Sequence, residues 1–267
     1  MPMDDRSGVW FECHGSGQPL MITLPLMASH VEIFGDTSAP MLKAWLDCLT
    51  PHFRILLADY PGIGRSRDIA PEDLTADRVC ADLLSVADAA GFESFAYCGY
   101  SWSGSVGLQL AARTERLTAL VIGGWPPLGG PYAEILAASV RKIGRVEPGS
   151  MAVLRSAGQY RQWSHYYASV IGWPEAEAVG KIRCPKMVFF GSKGDLVEAG
   201  LPVNIASIIR ARRGELEGQG WTVVEMPGFG HDVIMESSLV VPEIAAFLDN
   251  ARLKNPRLKN PRMKNPL

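Results

Sequence analysis

The stretch "SFAYCGYSWSGSVGLQLAART", residues 94–114, decides the fold. Its first seven residues are a short apolar run that reads as a buried strand. From about Ser103 the apolar positions recur at helical spacing. No loop separates the two, so the backbone must bend at Ser101, with Gly99 supplying a small neighbour two positions earlier. A serine at such a strand-to-helix bend is exposed at a helix N-terminus, where a reactive hydroxyl would be presented. Ser103 and Ser105 fall in the first turn of the helix, where serine caps or packs.

Working outward, the same alternation repeats. "PLMITLPL", "FRILLADY", "LTALVIGG", "PKMVFFG" and "WTVVEMPG" read as buried strands. "APMLKAWLDCLT", "LTADRVCADLLSVADAAG", the region around "VNIASIIRARRGELE" and "SLVVPEIAAFLDN" read as helices, with Thr75 as an N-cap and Gly91 closing the second. Continuous apolar strands between helices predict an α/β protein with a mostly parallel central sheet and helices on both faces. Residues 125–180 break the rhythm with aromatics, prolines and glycines and no strand. They are expected to form a short helical lid on a core made of 1–124 and 181–250.

The chain has 267 residues, 47% of them apolar and 20% charged, enough for one large core. Its net charge of −2 hides a basic end. "RLKNPRLKNPRMKNPL" repeats R-(L/M)-K-N-P three times with six basic and no acidic residues, leaving 20 basic against 28 acidic groups over residues 1–250. A proline at every fifth position forbids a continuous helix, so residues 251–267 are expected to be a disordered basic tail. The acidic body argues against nucleic acid as a partner. No apolar run reaches the roughly 18 residues of a membrane span, and the acidic N-terminus is unlike a signal peptide, so a cytoplasmic protein without a membrane partner is expected. Five scattered cysteines give neither a disulfide framework nor a metal site.

A serine hydroxyl needs a base, and the base an orienting carboxylate. Of the five histidines, His14, His30, His52, His165 and His231, only His231 lies in a glycine-rich turn directly after the last strand, "MPGFGHDV". In a parallel sheet that turn and Ser101 share the carboxyl edge, where ligands bind. Between them in the chain, "MVFFGSKGDLVEAG" offers Asp195, with Glu198 as a second candidate.

At this point the sequence resembles the α/β-hydrolase superfamily, over nearly all of residues 8–250. The resemblance rests on "GYSWSG" at 99–104, on "DYPGIGRS" at 59–66, similar to the family's D-x-x-G-x-G-x-S turn, on "GSKGDLV", on "GFGHD", and on the order Ser, Asp, His. It implies a nucleophile elbow and a catalytic triad of Ser101, Asp195 and His231. It also implies an oxyanion hole from the backbone N–H groups of Leu26 and Trp102, no cofactor and no metal. Asp59 and Ser66 are structural in similar proteins. Three features depart from the family pattern. Ser103 replaces the second elbow glycine, Leu24-Pro25 stands where His-Gly is usual, and Asp195 lies one residue further from its strand.

The implied reaction is hydrolysis of a small apolar ester, lactone or thioester through an acyl-enzyme. Trp125, Tyr160, Trp163, His165, Tyr166 and Trp173 are the substrate-binding candidates, with Tyr167 beside them, and the aromatic side chains suit an apolar group. Two other readings stay open: a C–C hydrolase, lyase or cyclase using the same triad, and a non-catalytic ligand-binding homologue. Nothing in the sequence fixes the oligomeric state.

Overall fold

The computed structural model describes residues 3–145, 152–154 and 156–254. Nine strands are present among these: β1 (Phe11–His14), β2 (Gln18–Ile22), β3 (Phe53–Ala58), β4 (Phe95–Tyr100), β5 (Leu117–Gly123), β6 (Lys186–Lys193), β7 (Leu196–Glu198), β8 (Leu201–Val203) and β9 (Trp221–Gly230). Seven form one sheet in the order β1-β3-β2-β4-β5-β6-β9, parallel except for β1, which pairs antiparallel with β3. The remaining two, β7 and β8, form a separate antiparallel hairpin.

Side chains alternate between the two faces along each strand. Leu56, Tyr97, Ile122, Val188 and Phe190 enter one core, while Ile55, Leu57, Cys98, Val121, Met187 and Phe189 enter the other. On the first face lie α3 (Ala76–Ala89) and α4 (Trp102–Ala111), which contribute Val79, Leu83, Val86, Val106 and Leu108. On the second lie α2 (Ala39–Leu49) and α10 (Ser237–Lys254), which contribute Trp45, Leu49, Val240, Ile244 and Leu248. Because both faces are covered, every residue of β4 is buried, which explains its unbroken small and apolar sequence. The expected Thr75 cap is present: its hydroxyl accepts a bond from the Arg78 amide at 3.2 Å.

A short helix, α1 (His30–Phe34), follows β2. The stretch expected as an insertion runs between β5 and β6 and holds α5 (Tyr132–Lys142), α6 (Arg161–Ser169) and α7 (Glu175–Gly180). It is tied to the body by polar contacts. The Ala76 amide donates to Ser169 Oγ at 2.9 Å, the Ser105 and Tyr166 hydroxyls lie 3.1 Å apart, and Gln159 Nε2 donates to the Gly62 carbonyl. After β8 come α8 (Ala206–Ala211) and α9 (Arg213–Gly218), two pieces where the sequence suggested one helix.

The tail expected from residue 251 begins inside α10, where Arg252 pairs with Asp249 at 3.4 Å. Residues 255–267, and with them the rest of that expectation, lie outside the described residues. Among the described residues no helix is long and apolar enough to cross a membrane.

Candidate active site

β4 runs into α4 with no intervening residue except Ser101, whose backbone sits at φ 55°, ψ −119°. L-residues rarely adopt this conformation, and holding one there stores on the order of 1–3 kcal/mol. The bend is held by the Ser101 amide, which donates to the Gly123 carbonyl of β5 at 2.7 Å. It also requires Gly99, since a Cβ there would come within 2.5 Å of the Ser103 carbonyl oxygen.

The departure at Ser103 has a local cause. The Ser103 hydroxyl lies 2.8 Å from the Tyr60 hydroxyl, Tyr97 donates to the Ser103 carbonyl at 2.9 Å, and Thr23 Oγ1 lies 2.8 Å from the Tyr97 hydroxyl. All four side chains are buried, so each hydroxyl needs a partner. A glycine at 103 would take away the 2.8 Å partner of Tyr60 and leave it weaker contacts, among them 3.3 Å to Tyr97. Ser103→Ala is therefore expected to lower stability by roughly 1 to 2 kcal/mol, with kcat within about threefold of the parent. Urea unfolding of Ser103→Ala, Tyr60→Phe and the double variant checks this: additive losses would mean that the two hydroxyls do not share a bond.

At the far side of the sheet edge, β9 ends at Gly230 and His231 opens a short 3₁₀ turn. His231 Nε2 lies 2.9 Å from Ser101 Oγ. The Tyr100 hydroxyl fixes the histidine from behind by donating to its carbonyl at 2.6 Å. Gly124, at φ 58°, leaves room for the ring, since a Cβ there would fall 2.9 Å from His231 Cε1. For Nε2 to accept the serine proton, the ring proton must sit on Nδ1. Nδ1 is buried and has no hydrogen-bond partner among the described residues.

Burial pulls the His231 pKa down to about 4, against the opposing pull of the Glu198 and Asp232 carboxylates, so the ring is neutral and able to act as a base at neutral pH. The same shift links the site to stability. As the pH falls below the ordinary 6.5, the unfolded chain binds this proton while the folded chain resists until about 4. Stability is therefore lost across that window, by at most roughly 3 kcal/mol. Urea midpoints at pH 7 and 4.5 are expected to differ less in His231→Gln than in the parent; equal differences would refute the link.

Asp195 is not brought to His231. Its Oδ1 accepts the amides of Ile205 at 2.7 Å and Ser207 at 3.0 Å, and Oδ2 accepts the Ser207 hydroxyl. These bonds hold its pKa below the usual value despite the opposing effect of burial. The free N–H groups at the start of α8 attract a carboxylate, and Asp195 satisfies them. Glu198, the second candidate, stands on the cavity wall with Ser101 and His231, its Oε2 paired with Lys142 Nζ.

Nor is the expected Leu26 donor available. Its N–H donates to the Thr23 carbonyl at 3.0 Å, closing a turn that contains the cis Leu24–Pro25 bond. Of the expected oxyanion pair, Trp102 remains, its amide opening α4 where the first N–H groups have no intrahelical acceptor. Asp59 and Ser66 are structural as expected: the Asp59 carboxylate accepts the Ser29 amide and hydroxyl and the Arg65 amide, and Ser66 Oγ donates to the Asp59 carbonyl.

Ser101 and His231 open on a cavity of about 410 Å³. Trp125, Tyr160 and Trp163 line it, as does Tyr167, stacked on Trp125 with ring centroids 6.0 Å apart. The other three aromatic-stretch candidates lie elsewhere. Tyr166 is wholly buried behind Trp102, 5.2 Å edge to face. Trp173 packs on Tyr132, and His165 is exposed on the outer side of α6. Ile135, Lys142 and Ile205, which no motif signals, also stand on the wall, beside Leu24 and Leu196 from the motif stretches.

A protein-family model described as alpha/beta hydrolase fold matches residues 34–131. A protein of Agrobacterium fabrum named "Putative carbamate hydrolase RutD" is 30% identical over 117 residues, which is 43% of this chain and 43% of that protein; the matched length is thus under half of the relative. Among solved structures, a thermophilic esterase from Thermogutta terrifontis superposes with a TM-score of 0.64 at 20% identity, covering 91% of this chain and 93% of that one. An enol-lactonase from Burkholderia xenovorans superposes at 0.62 with 18% identity, covering 90% and 96%.

Proposed function

We propose that this chain, which has the α/β-hydrolase fold, is a serine hydrolase of small apolar esters, lactones or thioesters. The observation that carries this reading is the 2.9 Å contact between Ser101 Oγ, on its strained bend, and His231 Nε2. Both groups face an aromatic cavity of about 410 Å³, a volume that suits a small molecule.

In this reading Ser101 Oγ attacks the acyl carbonyl while His231 Nε2 takes its proton, then returns it to the departing alcohol or thiol. The developing oxyanion receives the Trp102 N–H and the positive end of α4; the Leu26 amide, held by Thr23, does not contribute. Water, deprotonated by the same histidine, releases the acyl group. The helices α5 and α6 cover the cavity, and Trp125, Trp163 and Tyr167 offer the acyl or alcohol group aromatic faces. Carbamates, to which the name of the Agrobacterium relative points, carry a carbonyl open to the same attack.

Labelling with a fluorophosphonate tests the reading. The wild type is expected to label, and Ser101→Ala and His231→Ala to remain unlabelled. Chromogenic acetate through octanoate esters, a lactone, a thioester and an aryl carbamate would then rank the substrate classes. A folded wild type that neither labels nor turns over any of them would favour a ligand-binding role.

A further inference from the structure

We infer that Glu198 is the carboxylate that orients His231, and that Lys142 on α5 holds it in reserve by an ion pair formed inside the active-site cavity. This rests on the hydrolase reading above. It begins with a mismatch: among the described residues His231 Nδ1 is buried without a partner, while the acid expected from the motif is committed to α8. Turning Asp195 toward the histidine would strip the Ile205 and Ser207 amides of their acceptor.

Among the described residues Glu198 has no such commitment to the backbone; its carboxylate pairs with Lys142. It sits at the end of β7, where the two-residue turn Ala199–Gly200, both at positive φ, reverses the chain into β8. That turn presents Glu198 to the cavity wall shared by Ser101 and His231. The last turn of α5 grips the same hairpin: Arg141 Nη1 donates to the Ala199 carbonyl at 3.2 Å, and Lys142 Nζ pairs with the Glu198 carboxylate. The Lys142 side chain is 14% exposed and that of Glu198 30%, so the lysine end of the pair is shielded from water while the carboxylate keeps an open side. Of the charges acting on the His231 ring, Glu198 contributes most.

Two partners thus compete for one carboxylate. Paired with Lys142, Glu198 leaves Nδ1–H unsatisfied. Rotated about its own side-chain torsions toward the ring, it accepts the Nδ1–H bond, fixes the tautomer and stabilises the imidazolium that forms when Nε2 takes the Ser101 proton. The proton moves from Ser101 Oγ to His231 Nε2 and is not passed on through Nδ1. Lys142 is placed where a ligand drawing the ammonium toward itself would release the carboxylate, which couples occupancy of the cavity to assembly of the base.

The first measurement does not depend on turnover: an NMR titration of the His231 ring in the full chain. The groups facing that ring are Glu198 from the hairpin, Asp232 beside it, and Ser101 and Tyr100 from the elbow. Lys142→Met is expected to raise the His231 pKa by about one unit or more as the freed carboxylate reaches Nδ1. Adding Glu198→Gln is expected to cancel the rise. The second measurement is steady-state hydrolysis. Glu198→Gln is expected to lower kcat by about 10³- to 10⁴-fold with KM within threefold. Asp195→Asn, which keeps the Oδ1 acceptor for both amides, is expected to hold kcat within about threefold. A His231 titration unmoved by both Lys142→Met and Glu198→Gln would overturn the inference. So would a large kcat loss in folded Asp195→Asn with Glu198→Gln active. If the wild type proves catalytically silent, the hydrolase reading fails while the titration still decides the pairing.

Discussion

Ser101→Ala is expected to lower kcat on an activated ester by about four to six orders of magnitude, and Ser101→Gly to do the same while making the protein more stable. The first effect follows from chemistry. The alanine variant keeps His231, the cavity and the Trp102 amide but has no oxygen to form an acyl-enzyme, so only binding and oxyanion support remain. The second effect follows from the backbone. At φ 55°, ψ −119° any residue with a Cβ is strained, and alanine keeps that strain. Glycine adopts the conformation freely. Offset against the extra freedom glycine adds to the unfolded chain, the net gain is expected to be about 1 kcal/mol. Urea unfolding of both variants beside the wild type measures this directly. A glycine variant less stable than the alanine one would mean that the bend is not strained, and would remove the sign that this serine is held for reaction.

The same bend was legible in the sequence because it leaves a local signature: an apolar strand, a small residue at 99, and helical spacing at once afterwards. His231 was legible for a related reason, since a glycine-rich turn after the last strand must lie at the carboxyl edge. What sequence could not supply was direction. Asp195 and Glu198 stand three residues apart, both just beyond β6. Which carboxylate the backbone takes up depends on where α8 begins, and the sequence suggests an earlier and longer helix than the one starting at Ala206. The hairpin that carries Glu198 is built from three-residue strands, too short to show a period. The aromatic run on α6 failed in the same way. Trp163 and Tyr167, four apart, share the face toward the cavity, whereas Tyr166 is turned about 100° away per residue into the body and His165 turns outward. The Leu26 amide was lost to a turn closed by Thr23, a choice made by hydrogen bonding rather than by residue type.

Gly124, the second of two adjacent glycines in "VIGGWPP", shapes the site by its lack of a side chain. A Cβ there would lie 2.6 Å from Tyr100 Cζ and 2.9 Å from His231 Cε1. Neither ring can yield cheaply, because the Tyr100 hydroxyl holds the His231 carbonyl at 2.6 Å and both rings pack together 5.3 Å apart. Gly124→Ala is therefore expected to push the imidazole off its line to Ser101 and to lower kcat by about 10²-fold, the usual consequence of an ångström of misplacement, with KM little changed. The φ of 58° adds a backbone penalty of roughly 1–2 kcal/mol that would lower stability as well. Gly91→Ala separates the two effects. Gly91 also has positive φ, 72°, but no atom lies within 4 Å of its added Cβ, and it sits at the far end of α3. It should lose comparable stability and keep its full kcat. If the two alanine variants lost activity equally, the loss would come from stability alone, and Gly124 would have no part in positioning the base. If only Gly124→Ala loses turnover, the histidine is aligned by the space that this glycine leaves as well as by the serine it faces.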